Sequence, residues 1–173
     1  ELWITQNGGA SWSLLLSYVD QVRFSQKQRD RVFVTTWLDR SGLQREKDVR
    51  DNVMLRLDKI HSPKDLVVTV VAHGVASFLY AGDFFLVARR ARNGDVTLAV
   101  SKDDVIFDDV QFRGNSRPEQ FTVFGATDFS LVVGGKSPVP NSSEVADPQF
   151  NMYGQLYISD PTGVRMKLVL PRL

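Results

Sequence analysis

The sequence contains no cysteine. Thiolate nucleophiles, cysteine-bound metals and disulfide staples are therefore excluded from this stretch, while the redox compartment stays open. Neither sign of charge is in excess: 21 Lys and Arg stand against 20 Asp and Glu, a formal net charge of +1. Counterion release on nucleic acid and polybasic attraction to an anionic membrane have no compositional basis here, so no nucleic-acid partner is expected. Histidine is scarce, and neither His61 nor His73 sits in a metal-ligand framework; no metal and no cofactor is expected. A nucleophile elbow is missing as well. The longest uncharged run, Leu66 to Gly82, is shorter than the roughly 20 apolar residues of a spanning helix. It is rich in valine and broken by Gly74, and reads as two strands joined at His73-Gly74. The opening residues Glu1-Leu2-Trp3-Ile4-Thr5 follow a strand pattern rather than a basic leader, so the chain is expected to begin inside a structure.

What is present is a repeat. A short strand running into a turn occurs at Leu2-Trp3-Ile4-Thr5-Gln6-Asn7 and at Leu55-Arg56-Leu57-Asp58-Lys59-Ile60. It returns at Leu98-Ala99-Val100-Ser101-Lys102-Asp103 and at Leu156-Tyr157-Ile158-Ser159-Asp160-Pro161. A second ladder, an Asp opening an apolar strand, interleaves with the first at Asp30-Arg31-Val32-Phe33-Val34, Asp83-Phe84-Phe85-Leu86-Val87 and Asp128-Phe129-Ser130-Leu131-Val132. A strand-filled period of roughly 40–50 residues is the signature of β-propeller blades. Each blade is a small sheet that cannot bury both faces alone, so neighbours cover one another. The expected fold is all-β: about three to four blades of a larger propeller. Residues 1–18 would end one blade, and 19–70, 71–115 and 116–173 would form three more, the last with an exposed Pro/Ser/Asn-rich loop at 136–148. Gln44 to Ile60 sets Val49, Val53, Leu57 and Ile60 near helical spacing, but its place in the repeat favours a charged loop followed by a strand from Val53 to Leu57.

Thr5-Gln6-Asn7-Gly8-Gly9-Ala10-Ser11-Trp12 fits the Asp-box pattern at Thr5, Asn7, Gly9 and Trp12. Asn7 can bond the backbone of its own turn. Gly9 can take a positive φ, and Trp12 is expected to tuck under the turn as a buried anchor. Ser101 to Phe107 is a worn copy that keeps Ser101 and Asp103 but has no glycine. Ser159 to Met166 keeps Ser159, Asp160 and Gly163. Such a turn occurs in glycosidases, yet its polar groups are consumed in making the turn, which favours a hairpin staple over a sugar site.

With these motifs the chain resembles the luminal propeller of the sortilin family, the vacuolar protein sorting receptors. The resemblance is carried by Glu1-Leu2-Trp3 leading into the Asp-box, by Val32-Phe33-Val34-Thr35-Thr36, and by Phe84-Phe85-Leu86-Val87 with Val100-Ser101-Lys102-Asp103. It is most specific at Glu119-Gln120-Phe121-Thr122-Val123-Phe124 and at Gly154-Gln155-Leu156-Tyr157-Ile158-Ser159-Asp160 with Gly163-Val164-Arg165. It implies a ten-bladed propeller on the luminal side of a membrane receptor that carries cargo proteins between Golgi and endosomes or vacuole-like organelles, without catalysis. Cargo or peptide segments would bind in the tunnel, the membrane anchor would lie outside this chain, and a homodimer is a further expectation. Carried over by position, the peptide pocket falls on Leu86, Ala88, Leu98, Phe121, Thr122, Val123 and Phe124. The family's carboxylate-clamping arginine is Val96 here, and a valine cannot form a bidentate pair; Arg89 and Arg90 lie nearby in sequence. Asn141-Ser142-Ser143 is a glycosylation sequon.

The chief rival reading is a sialidase-like glycosidase, which would need an arginine triad and a Tyr–Glu nucleophile pair that form no framework in this sequence. The third is a non-catalytic scaffold propeller.

Overall fold

The computed structural model describes residues 1–37, 52–90, 94–113, 118, 120–138 and 152–170. The structure is all-β. Its first sheet has two strands, β1 (Leu2–Ile4) and β2 (Ser13–Leu16). The second holds β3 (Val19–Phe24), β4 (Arg31–Trp37), β5 (Asn52–Asp58) and β6 (Val67–His73) in that order. The third holds β7 (Val75–Ala81), β8 (Phe84–Arg90), β9 (Val96–Ser101) and the short β10 (Asp108–Asp109). The fourth runs β12 (Gln120–Ala126), β13 (Leu131–Pro138), β14 (Met152–Ser159) and β15 (Arg165–Leu170), with β11 (Gln111–Phe112) added in parallel to the outer edge of β15. The pairings of β1 with β2, β9 with β10, and those along the second sheet and from β12 to β15 are antiparallel between sequence neighbours, the up-and-down order of a propeller blade.

The two sequence ladders are the two inner strands of these sheets. Arg31, Phe84 and Leu131 each begin the second strand, and Leu55, Leu98 and Leu156 each lie in the third. These strands read as near-continuous apolar runs because both of their faces are covered: every residue of β4 but the last is buried, as are the first five of β8. The outer strands β3 and β6 alternate or stay exposed. The stretch Val53 to Leu57 is strand, and the charged residues Gln44–Asp51 before it lie outside the described residues. Strand β13 continues to Pro138, paired with Met152, so the loop expected from residue 136 starts later than the composition suggested. The pull of the ladder outweighs the turn-like composition of Lys136-Ser137-Pro138. The rest of that loop, with Asn141, lies outside the described residues.

The chain divides into two compact units, residues 1–77 with 89–92, and 78–88 with 93–173. In the first, Val32, Val34, Val53, Leu55, Leu57 and Ile60 form a core covered by Leu2, Ile4, Leu15 and Leu16 of the two-stranded sheet. In the second, Phe84, Leu86, Leu98 and Val100 pack against Leu131, Val133, Tyr157 and Met166. The aliphatic and Phe side chains that are fully buried in these cores each contribute about 1.5–3 kcal/mol by leaving water.

Candidate functional site

Three turns carry the expected motif, and each is built differently. In the first, the Thr5 hydroxyl donates to Asn7 Oδ1 and accepts from the Gly9 N–H at 2.9 Å. Asn7 Oδ1 also accepts from the Ser11 N–H at 2.9 Å, and Asn7 Nδ2 donates to Ser11 Oγ at 2.8 Å. Gly9 sits at φ +95° with the Trp12 ring above it, where a side chain would be strained. The indole is nevertheless 58 % exposed. Trp12 is therefore not the buried anchor expected from the motif: it lies over the turn without being enclosed by it. Its ring and those of Trp3 and Phe24 border an apolar cleft of about 250 Å³ that reaches Val32 and Ile60.

The second turn departs most from the motif and is the more enclosed. Asp103 Oδ1 accepts from the Ser101 hydroxyl and from the N–H groups of Val105 and Ile106. The two backbone N–H bonds hold its carboxyl below the ordinary range. Asp104 adopts φ +62°, the conformation that glycine supplies in the first turn. Its carboxylate is fully buried and accepts from the Tyr80 hydroxyl. Tyr80 stacks on Phe85 at 4.4 Å between centroids, and Phe78 and Phe107 meet the same ring edge-on.

In the third turn the motif is shifted by one residue. Asp160 Oδ1 accepts from the Thr162 hydroxyl, the main cause of its lowered carboxyl pKa. Ser159 turns inward instead, accepting from the Leu131 N–H and donating to the Asp160 carbonyl. It thus ties β13 to the turn rather than completing the carboxylate cage. Gly163, at φ +82°, lets the turn descend on the core: a Cβ there would stand 2.8 Å from the Phe84 ring.

The residues expected to line a peptide pocket fall together, but as core. Leu86, Ala88 and Leu98 are 1 %, 8 % and 2 % exposed and belong to one cluster with Leu131, Tyr157 and Met166. All three are enclosed by that cluster in this structure. Phe121 and Phe124 are half-buried at the border of the same cluster. Phe121 stacks on Phe112 at 5.9 Å, and Phe112 meets Tyr157 edge-on at 4.9 Å. The Thr122 and Val123 side chains lie outside the described residues. Arg89 is half-buried and Arg90 exposed at the end of β8, and Val96 is half-buried at the start of β9. Among the described residues no group of His, Asp and Glu could hold a metal ion, and no helix is long and apolar enough to cross a membrane.

Two polar constellations escaped the motif search. Asp58 receives Arg31 on one oxygen and Arg56 at 2.8 Å on the other, with the Arg31 side chain nine-tenths buried. Asn52, fully buried, accepts from the Val75 N–H at 2.7 Å and donates to its carbonyl at 2.6 Å. Only the presence of a polar residue directly before the core residues Val53 and Met54 could have signalled the second.

The family model Sortilin-Vps10, described as "Sortilin, neurotensin receptor 3", matches residues 1–173. No curated protein matches the chain.

Proposed function

Because the chain belongs to the Sortilin-Vps10 family over its whole length, we propose that its blades serve as the cargo-binding luminal part of a membrane receptor that moves proteins between Golgi and endosomes or vacuole-like organelles. The family is one of luminal receptor domains of sorting receptors, and its fold is the propeller whose blades this chain forms. The observation that carries the reading is the family match across residues 1–173, together with three consecutive up-and-down sheets in one register. The turn carboxylates and hydroxyls are spent on their own backbones, which supports non-catalytic use of these turns. The receptor would reach the membrane through a segment outside this chain.

The test expresses the full-length protein with a luminal tag, locates it by immunofluorescence, and recovers bound proteins after cross-linking in the lumen. Residence in Golgi and endosomal membranes with secretory proteins attached is expected. A cytosolic location, or turnover of a fluorogenic sialoside by the purified protein, would overturn the reading.

A further inference from the structure

Four turns of the second unit meet at one end. The β7–β8 turn touches the end of β12: a Cβ on Gly82 would stand 2.9 Å from that of Ala126. The β9–β10 turn reaches the β14–β15 turn through Lys102 Nζ, which donates to the Pro161 carbonyl at 3.0 Å and lies over the Phe84 ring. The β12–β13 turn is tied to the β14–β15 turn by the Leu131 N–H, which donates to Ser159 Oγ at 2.8 Å.

Two of these turns hold large apolar side chains out in water. Asp103 Oδ1 fixes the N–H groups of Val105 and Ile106, whose side chains are 50 % and 62 % exposed. Thr127 Oγ1 accepts from the N–H groups of Phe129 and Ser130, and the Phe129 ring is 73 % exposed. The repeated Asp-Phe pair thus faces two ways: Phe84 is core, whereas Phe129 stands outside. Exposed apolar side chains on turns that are already ordered suit an interface, because little freedom is lost when a partner seats on them.

The charge around these tips is mostly of one sign. Asp128 precedes Phe129, Asp103 and Asp108 flank Val105 and Ile106, and Asp83 lies in the neighbouring β7–β8 turn; all are exposed. Asp108 and Asp128 have no ion pair among the described residues. Lys102 is the one cation within the turns, and its ammonium is already committed to Pro161 and Phe84. Arg165 follows at the start of β15. Acidic groups around apolar tips disfavour an anionic membrane or an acidic segment and complement a cationic one.

We propose that this end of the second unit is a docking surface for a basic, amphipathic segment of a partner protein. Its apolar side chains seat against Val105, Ile106 and Phe129, and its lysines or arginines face Asp108 and Asp128. The proposal concerns the second unit alone and does not depend on the trafficking role.

The probe is a dye-labelled, end-capped peptide, Lys-Lys-Leu-Phe-Leu-Lys-Lys, titrated against the intact protein by fluorescence anisotropy. Phe129→Ser and Asp128→Lys should each weaken binding about tenfold. Phe129→Leu, which keeps an apolar tip, should bind as the native protein does. Asp20→Lys makes the same charge change at an exposed position of β3 in the first unit and should leave binding unchanged. Replacing the peptide's lysines by glutamates should abolish it. Absence of binding at millimolar peptide, equal binding of the glutamate peptide, indifference to Phe129→Ser, or equal losses with Asp20→Lys and Asp128→Lys would each overturn the proposal. So would a dimer in sedimentation that Phe129→Ser abolishes, because the occupant would then be a second copy of this chain. Binding to phosphatidylcholine vesicles that Phe129→Ser abolishes would assign the tips to a lipid surface instead and overturn it as well.

Discussion

The first and second turns differ in the opposite sense to their sequences. Thr5–Trp12 satisfies its motif at all constrained positions, yet its aromatic is mostly exposed. Ser101–Phe107 has lost the glycine, yet it rests on a buried carboxylate and four aromatic rings. The match to a turn motif records how the backbone is folded locally. How firmly the turn is held depends on what lies beneath it, and that comes from other strands.

Substitutions can break or sharpen this contrast. The largest effect is expected under the second turn. Phe85→Ala removes the ring on which Phe78, Tyr80 and Phe107 converge and should cost about 3–5 kcal/mol by chemical denaturation. A loss below about 1 kcal/mol would show that the aromatic group does not support the turn. In the third turn, Gly163→Ala forces a side chain into a positive-φ position and against Phe84, for a loss of about 2–3 kcal/mol. Trp12→Ala should cost only about 1 kcal/mol, since the ring keeps most of its surface in water. A loss of several kcal/mol would restore the anchor role.

The smallest effect is a matter of pH. The folded Asp103 carboxyl lies below its ordinary value of 3.8. Its contribution is complete above the unfolded value and disappears as pH falls through the lowered folded one. Asp103→Asn, which reproduces the chemistry of Asn7, should leave stability near neutral pH almost unchanged and flatten its decline below about pH 4, measured by denaturant titration. An unchanged acid decline would assign it to other carboxylates, Asp160 first among them.

Much of the fold was legible because the inner strands obey a simple rule. Phe84-Phe85-Leu86-Val87 and Val32-Phe33-Val34 are apolar at successive positions only because both faces are covered, so they announce themselves as central strands and repeat as such. The position of Leu55, Leu98 and Leu156 in the third strand followed from that register. The site was less legible. Apolar character at Leu86 and Leu98 is equally compatible with a ligand pocket and a core, and their packing in one cluster with Tyr157 and Met166 could be read only from the structure. The sequence also could not show that Ser159 turns inward, because a one-residue shift of the carboxylate from the third to the second place of the turn leaves the composition intact.

Asn52 carries one more consequence. Its side chain grips both polar groups of Val75, and its own carbonyl receives the Gly74 N–H at 3.1 Å. The amide protons of Gly74 and Val75 are thus guarded by the end of β5 rather than by a sheet partner of their own. In deuterated water they should exchange at the rate of that strand's opening, so that one buried carboxamide makes two successive sheets report a single opening event.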